Sequence, residues 1–99
     1  MIDVSPLRVV DDKIGLGLRV DLPESPAPLV MIIVRLGFVC CGFLNIEDAE
    51  KLNVAAAMVS GVKNFDDVLN SEVKAVTLKA QALGVKTGMK GKDALKFFL

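Results

Sequence analysis

Residues 29–44 read Leu-Val-Met-Ile-Ile-Val-Arg-Leu-Gly-Phe-Val-Cys-Cys-Gly-Phe-Leu, an apolar run in which Arg35 is the one charge. A strand with one face on a core and the other in water alternates apolar with polar residues. This run is apolar at both parities, so strands built from it need cover on both faces. A chain of 99 residues has room for one core and not two. The second face is therefore expected to meet another chain. Composition agrees, with 53% hydrophobic residues and a mean hydropathy of +0.52, an excess that marks oligomer or membrane contact in so small a domain. A membrane helix needs about 20 uninterrupted apolar residues. The run has 16, broken by Arg35 and Gly37, so no membrane span is expected. Met-Ile-Asp-Val-Ser-Pro at the start lacks the basic n-region of a signal peptide, and the expected location is cytoplasmic.

Residue types narrow the chemistry. The sequence has no His, Trp or Tyr, which removes catalytic triads of the usual kind. Cys40 and Cys41 are adjacent, and neighbours on a strand point to opposite faces, so a disulfide between them is not expected. Such usage suits a reducing compartment. Two thiols alone do not close a zinc site, and neither a metal nor a cofactor is expected. Net charge is zero but unevenly spread. Residues 1–72 hold six Lys/Arg against eleven Asp/Glu, while 73–99 hold six Lys against Asp93 alone. Those lysines, Lys74 to Lys96, read as solvated helix faces. With no aromatic residue among them to stack bases, nucleic acid is disfavoured as a partner.

Along the chain, Leu7–Val10 reads as a short strand and Asp11-Asp12-Lys13 as a turn. Residues 14–21 alternate, with Ile14, Leu16, Leu18 and Val20 on one side and Gly15, Gly17, Arg19 and Asp21 on the other. Leu22 to Pro28 holds three prolines and is a loop. Strands follow at about 29–35 and 38–44, with Gly37 expected to supply a positive φ at the turn. Asn45 caps a short helix to about Leu52, and Asn64 caps another with Asp66 and Asp67 in its first turn. Val54–Val62 suits either a helix or a strand. Leu69, Val73, Val76, Ala80 and Leu83 recur at helical spacing, which predicts a longer helix capped by Ser71 and stopped by Gly84 and Val85. A last helix carries Ala94, Leu95 and Phe98 inward.

Several short motifs occur together in order. Gly84-Val85-Lys86-Thr87-Gly88-Met89-Lys90-Gly91-Lys92-Asp93-Ala94-Leu95 is preceded by Gly61-Val62-Lys63, Asp67-Val68-Leu69, and Gly37 with Cys41-Gly42-Phe43-Leu44-Asn45. From about Val20 to Leu99 the chain resembles the YunC-like family of small prokaryotic proteins of unknown function. The resemblance implies an α+β fold, a strand at Val54–Val62, and an N-terminal β region that mediates tetramer formation. Two features depart from that pattern. The helix after Asn45 is shorter, and Met58 stands where some members carry Arg, which weakens any anion site there. The family brings no activity with it.

Cys41, beside Gly42, is the candidate nucleophile, with Arg35 or Lys63 as the cation that would activate its thiolate. Packing competes with this reading, because free cysteine is commonly a small core hydrophobe. Gly88, Lys90, Gly91 and Lys92 offer a candidate anion site at a helix start. The segment is not a phosphate-binding loop, since Lys86 stands at the first Gly position and Asp93 replaces Ser/Thr. Gly15-Leu16-Gly17 lacks the third glycine of a dinucleotide fingerprint, and its glycines are expected to admit another strand or subunit. Asp66 and Asp67 are better explained by the helix dipole than by metal or acid–base chemistry.

The expected fold is α+β. An antiparallel N-terminal β region of about four strands leads through a short helix and a fifth strand to C-terminal helices packed on one face. Residues 1–99 form one domain, with 1–44 as the β-rich oligomerisation region and 45–99 as the α/β remainder. Leu16, Leu18, Met31, Ile33, Arg35, Phe38 and Cys40 are the expected interface residues of a homo-oligomer, a tetramer in the light of the resemblance. The expected role is non-catalytic, binding a small ligand such as an anion, or a protein partner, between subunits. The alternative is a small thiol-dependent enzyme using Cys41.

Overall fold

The alternation in the first third of the chain becomes two long antiparallel strands, β1 (Ile2–Val10) and β2 (Lys13–Val20). The apolar run becomes β3 (Leu29–Ile33) and β4 (Gly37–Cys40). The computed structural model describes residues 2–10, 13–23, 27–42 and 45–99. The expected turn at Asp11-Asp12, and the continuation of the fourth strand through Phe43 and Leu44, lie outside the described residues. Then come α1 (Ile46–Lys51), β5 (Ala55–Met58), α2 (Phe65–Asn70), β6 (Ala75–Val76), α3 (Leu78–Ala82) and α4 (Gly91–Phe98). The six strands form one sheet in sequence order. Neighbours are antiparallel except β4 and β5, which run parallel. The connection through α1 makes that possible, since parallel strands need a crossover.

Local signals set the helix ends. The Asn45 side chain accepts from the Glu47 N–H at 2.9 Å, and that of Asn64 accepts from the Asp67 N–H at 2.8 Å. Asp67 reaches back to the Lys63 N–H at 3.0 Å, so the cap is reciprocal. Asn53 (φ 57°) and Gly84 (φ 109°) end α1 and α3 in left-handed conformation. After Gly84 the Val85 N–H bonds the Ala80 carbonyl and the Gly84 N–H that of Gln81, the paired pattern of a Schellman stop.

One sheet face makes the core. Val30, Ile32, Val39, Ala55 and Ala57 pack with Val68 of α2 and Ala94, Leu95 and Phe98 of α4. Phe98 is the largest fully buried side chain, and its carbonyl accepts from the Leu36 N–H at 2.7 Å. Gly91 lets α4 cross α2 closely, because a Cβ there would drive into the Val68 carbonyl oxygen.

Four expectations are corrected. The first strand begins at Ile2 rather than Leu7, and Pro6 is tolerated because β1 is an edge strand. Gly37 has no positive φ. It is needed for space, since a Cβ would lie 2.6 Å from the Ala55 carbonyl oxygen and 3.0 Å from Phe98 Cδ1. Gly17 admits neither a strand nor a subunit but side chains of its own chain, Leu7 and Phe65, at 2.6 and 2.9 Å from where a Cβ would sit. The long helix from Ser71 does not form. Residues 71–77 are extended, because the Lys74 and Thr77 N–H groups bond the Met58 and Ala56 carbonyls. Sheet pairing at long range overrides the local helical spacing there.

Candidate functional site

The pairing register assigns the strands' side chains to faces. Val4 lies opposite Leu18, Leu16 opposite Ile33, Leu18 opposite Met31, and Ile33 opposite Phe38. These residues, with Ile2 and Ile14, therefore share the face turned away from Ile32 and Val30. Most of them are also open to solvent, with Leu18, Met31 and Phe38 half-buried. Ile2 and Ile14 are each 67% exposed, Val4 56%, Leu16 43% and Ile33 36%, while Gly15 and Gly17 on the opposite face are buried. The polarity of β2 is thus inverted relative to a self-sufficient domain, with its glycines inside and its large aliphatic side chains outside.

The expected interface residues Leu16, Leu18, Met31, Ile33 and Phe38 fall on this one face. Arg35 stands exposed in the β3–β4 hairpin at its end. Cys40 is corrected. It shares the register of this face, opposite Met31, but is only 2% exposed and is covered within its own chain. Its thiol donates to the Ala57 carbonyl at 3.5 Å. Burial first, and the neighbouring Cys41 second, push that thiol from 9.0 up to about 12.

Cys41 lies on the core side and is buried. Its Sγ accepts from the Val30 N–H at 3.4 Å. It also lines a cavity of about 260 Å³ with Ala27, Pro28, Gly42, Ser60, Gly61 and Val62. No cation lines that cavity among the described residues. Arg35 and Cys41 stand at opposite ends of β4, separated by at least the ~13 Å length of that strand. Lys63 follows Val62 but is exposed, and its peptide is held by others, the N–H by Asp67 and the carbonyl by Arg19 Nε at 2.9 Å. The three expected catalytic residues are therefore not brought together.

At the start of α4 the residues expected to hold an anion, Gly88, Lys90, Gly91 and Lys92, lie together in the chain with part of their backbone already engaged. The Gly88 and Gly91 N–H groups already donate to the Val73 and Ser71 carbonyls, each at 2.9 Å. Lys90 pairs in a bridge with Glu72, and Lys90 and Lys92 are exposed. Two of the amides near that helix start, those of Gly88 and Gly91, are thus engaged in tying α4 to residues 71–73.

The chain matches a family profile described as a domain of unknown function, DUF1805, over residues 40–97. The chain belongs to the DUF1805 family. The uncharacterized protein YunC of Bacillus subtilis (strain 168) is 26% identical over 99 residues, covering 96% of this chain and 95% of that one. The crystal structure of TA1206, a protein of unknown function from Thermoplasma acidophilum, superposes with a TM-score of 0.92 at 28% identity, covering 100% of this chain and 94% of that one. The YunC-like resemblance and the α+β fold thus stand. The part matched by the DUF1805 profile holds both cysteines, α1 to α3 and all but the last residue of α4. The apolar strands β1–β3 precede it. No helix among the described residues is long and apolar enough to cross a membrane.

Two groups of residues escaped sequence reading. Thr77 is fully buried, and its hydroxyl donates to the Val54 carbonyl at 2.8 Å while accepting from the Ala56 N–H at 3.1 Å and the Ala80 N–H at 3.3 Å. A Thr before a short helical stretch was the available signal. Asn53 and Lys79 line a second pocket with Arg35, and no sequence pattern links these three.

Proposed function

We propose that this DUF1805 protein is a non-catalytic homo-oligomeric domain that uses the outer face of β1–β3 for self-association and binds a small ligand near the subunit boundary. The observation that carries the reading is the inverted polarity of β2. An open aliphatic face spread over three adjacent strands is uncommon on a monomer and marks an association surface. A second copy is the favoured occupant because the face is apolar through its middle, so an identical face meets it without like charges opposed. A tetramer of dihedral symmetry needs two self-complementary surfaces. The sheet offers the face and, beside it, the nine-residue edge strand β1.

The test is an isotope-filtered NOE experiment on a mixture of labelled and unlabelled protein. Leu16 and Ile33 methyls are expected to show cross-peaks between chains. Intermolecular cross-peaks confined to other surfaces would overturn the assignment.

A second reading, thiol chemistry at Cys41, is favoured by the cavity that Cys41 lines and Cys40 does not. Under native conditions at pH 8, a small maleimide is expected to modify Cys41 and leave Cys40 untouched. Peptide mapping checks this. A modification rate no faster than that of a model thiol would leave Cys41 a packing residue, and a rate well above it would favour the enzyme.

The raised Cys40 pKa has a consequence for stability. The folded state holds this proton more tightly than the unfolded chain does, so between pH 9 and about 12 the unfolded state binds fewer protons. Stability is then expected to fall as pH rises, by at most about 1.4 kcal/mol per pH unit. Cys40→Ala is expected to flatten that alkaline limb. Urea titrations at pH 8, 9 and 10 give the slope, and an identical slope in the variant would contradict the assignment.

A further inference from the structure

We infer that the pocket beneath the β3–β4 hairpin binds a small organic carboxylate, its head between Arg35 and Lys79 and its apolar body against Ile33, Leu36 and Phe38. The pocket, about 270 Å³, is walled by the hairpin, by the 53–55 segment that enters β5, and by Lys79 from α3. That size falls just below the usual range of drug-sized ligand sites and suits only a small molecule. Most of its lining is aliphatic or aromatic, and its charged side chains are both cationic. Among the described residues the ion pairs are Arg19–Asp21, Lys74–Glu72 and Lys96–Asp93, so Arg35 and Lys79 have no carboxylate partner there.

Glu50 is engaged with the start of α3 instead. Both Glu50 carboxylate oxygens accept from the Leu78 N–H, at 2.9 and 3.2 Å, and Glu50 does not line the pocket. Asn53, held in left-handed conformation by the end of α1, adds an amide that donates to an oxygen or accepts from a hydroxyl. A planar carboxylate suits the guanidinium of Arg35, with Lys79 as a second positive charge. The apolar walls select an anion with a hydrocarbon body over a free inorganic ion. Ile33 and Phe38 also belong to the outer sheet face, which puts the pocket at the rim of the proposed interface. The inference names the ligand class of the binding role proposed above and rests on that reading. The pocket itself is built by one chain, so the two can fail separately.

The experiment is a titration of 15N-labelled protein with sodium benzoate, followed by amide shifts, with inorganic phosphate run in parallel. Benzoate is expected to give saturable shifts centred on Gly37, Asn53 and Val54. In the R35Q/K79Q double variant the affinity is expected to fall at least about tenfold, whereas Lys79→Arg, which keeps the charge, retains binding. Both side chains are exposed, and the dispersion of the other amides checks the fold. The response is expected to persist in Leu16→Asp, which is aimed at the face-to-face contact and lies outside the pocket. Absence of saturation with benzoate, or unchanged affinity in the double variant, would overturn the site. Equal saturation by phosphate would overturn the carboxylate assignment. Loss of binding in Leu16→Asp alone would contradict a single-chain pocket.

Discussion

Leu16→Asp is expected to break the face-to-face contact, taking the assembly of four 10.6 kDa chains to dimers at most, while leaving each chain folded. Leu16 is 43% exposed and points away from the core, opposite Ile33 on the outer face. In an isolated chain its replacement by Asp therefore puts a carboxylate into water at little cost. In an assembly that covers this face, the same carboxylate is buried without a partner, at a cost of at least about 3 kcal/mol. Two-fold symmetry places the change twice in each interface. The sum, about 6 kcal/mol, weakens association by roughly four orders of magnitude. Ile33→Asp is expected to act in the same direction, though Ile33 also lines the pocket beside Arg35. Arg35→Glu, at the end of the face, is expected to do less. Sedimentation velocity with far-UV circular dichroism checks the prediction. A folded Leu16→Asp variant that sediments like the parent protein would remove Leu16 from the interface.

The second large effect lies in the core. Phe98 is fully buried among residues of both the sheet and the helices, and its ring lies where a Cβ on Gly37 would collide with it. Phe98→Ala removes that ring near the C-terminal end of α4, where the Phe98 carbonyl also holds the hairpin through Leu36. The expected loss is about 3–5 kcal/mol. For a domain of this size each kcal/mol shifts Tm by about 4–8 °C, so the midpoint is expected to fall by roughly 12 °C or more. A shift below about 4 °C would mean that α4 does not close the core as described. Phe97 is the internal control. It neighbours Phe98 but is 44% exposed, and Phe97→Ala is expected to cost less than half as much.

Much of this fold is legible from local chemistry. Asn45, Asn64 and Gly84 mark helix ends because a cap depends on residues within one turn of it. Ala94, Leu95 and Phe98 declare the inner face of α4 by spacing alone. What sequence reading missed depends on distant partners. Residues 71–77 have helical spacing yet run extended, because Met58 and Ala56 offer carbonyls that a local pattern does not reveal. The role of Gly37 is set by Ala55 and Phe98, far along the chain. Alternation in β2 separated two faces correctly but did not say which was inside, and Leu7 and Phe65 settled that by filling the space over Gly17.

The candidate site follows the same division. The aliphatic residues that share the outer face follow from strand parity, so Leu16, Leu18, Met31, Ile33 and Phe38 were nameable in advance. Cys40 was not excludable from that set, since its cover arises elsewhere in the fold. Cys41 and Arg35 are close in sequence, yet they flank opposite ends of β4, and proximity along a strand is still a strand length in space. Arg35 and Asn53 come together through the parallel pairing of β4 with β5, and Lys79 joins them through the packing of α3, which no short segment encodes.

Native mass spectrometry of the unmodified protein tests the central proposal, that a second copy covers the outer face of β1–β3, most directly. The expected result is a dominant species at four times 10.6 kDa, with a dimer as the product of gentle activation. A single species at 10.6 kDa across micromolar concentrations would contradict it, and the exposed aliphatic face would then belong to a monomer.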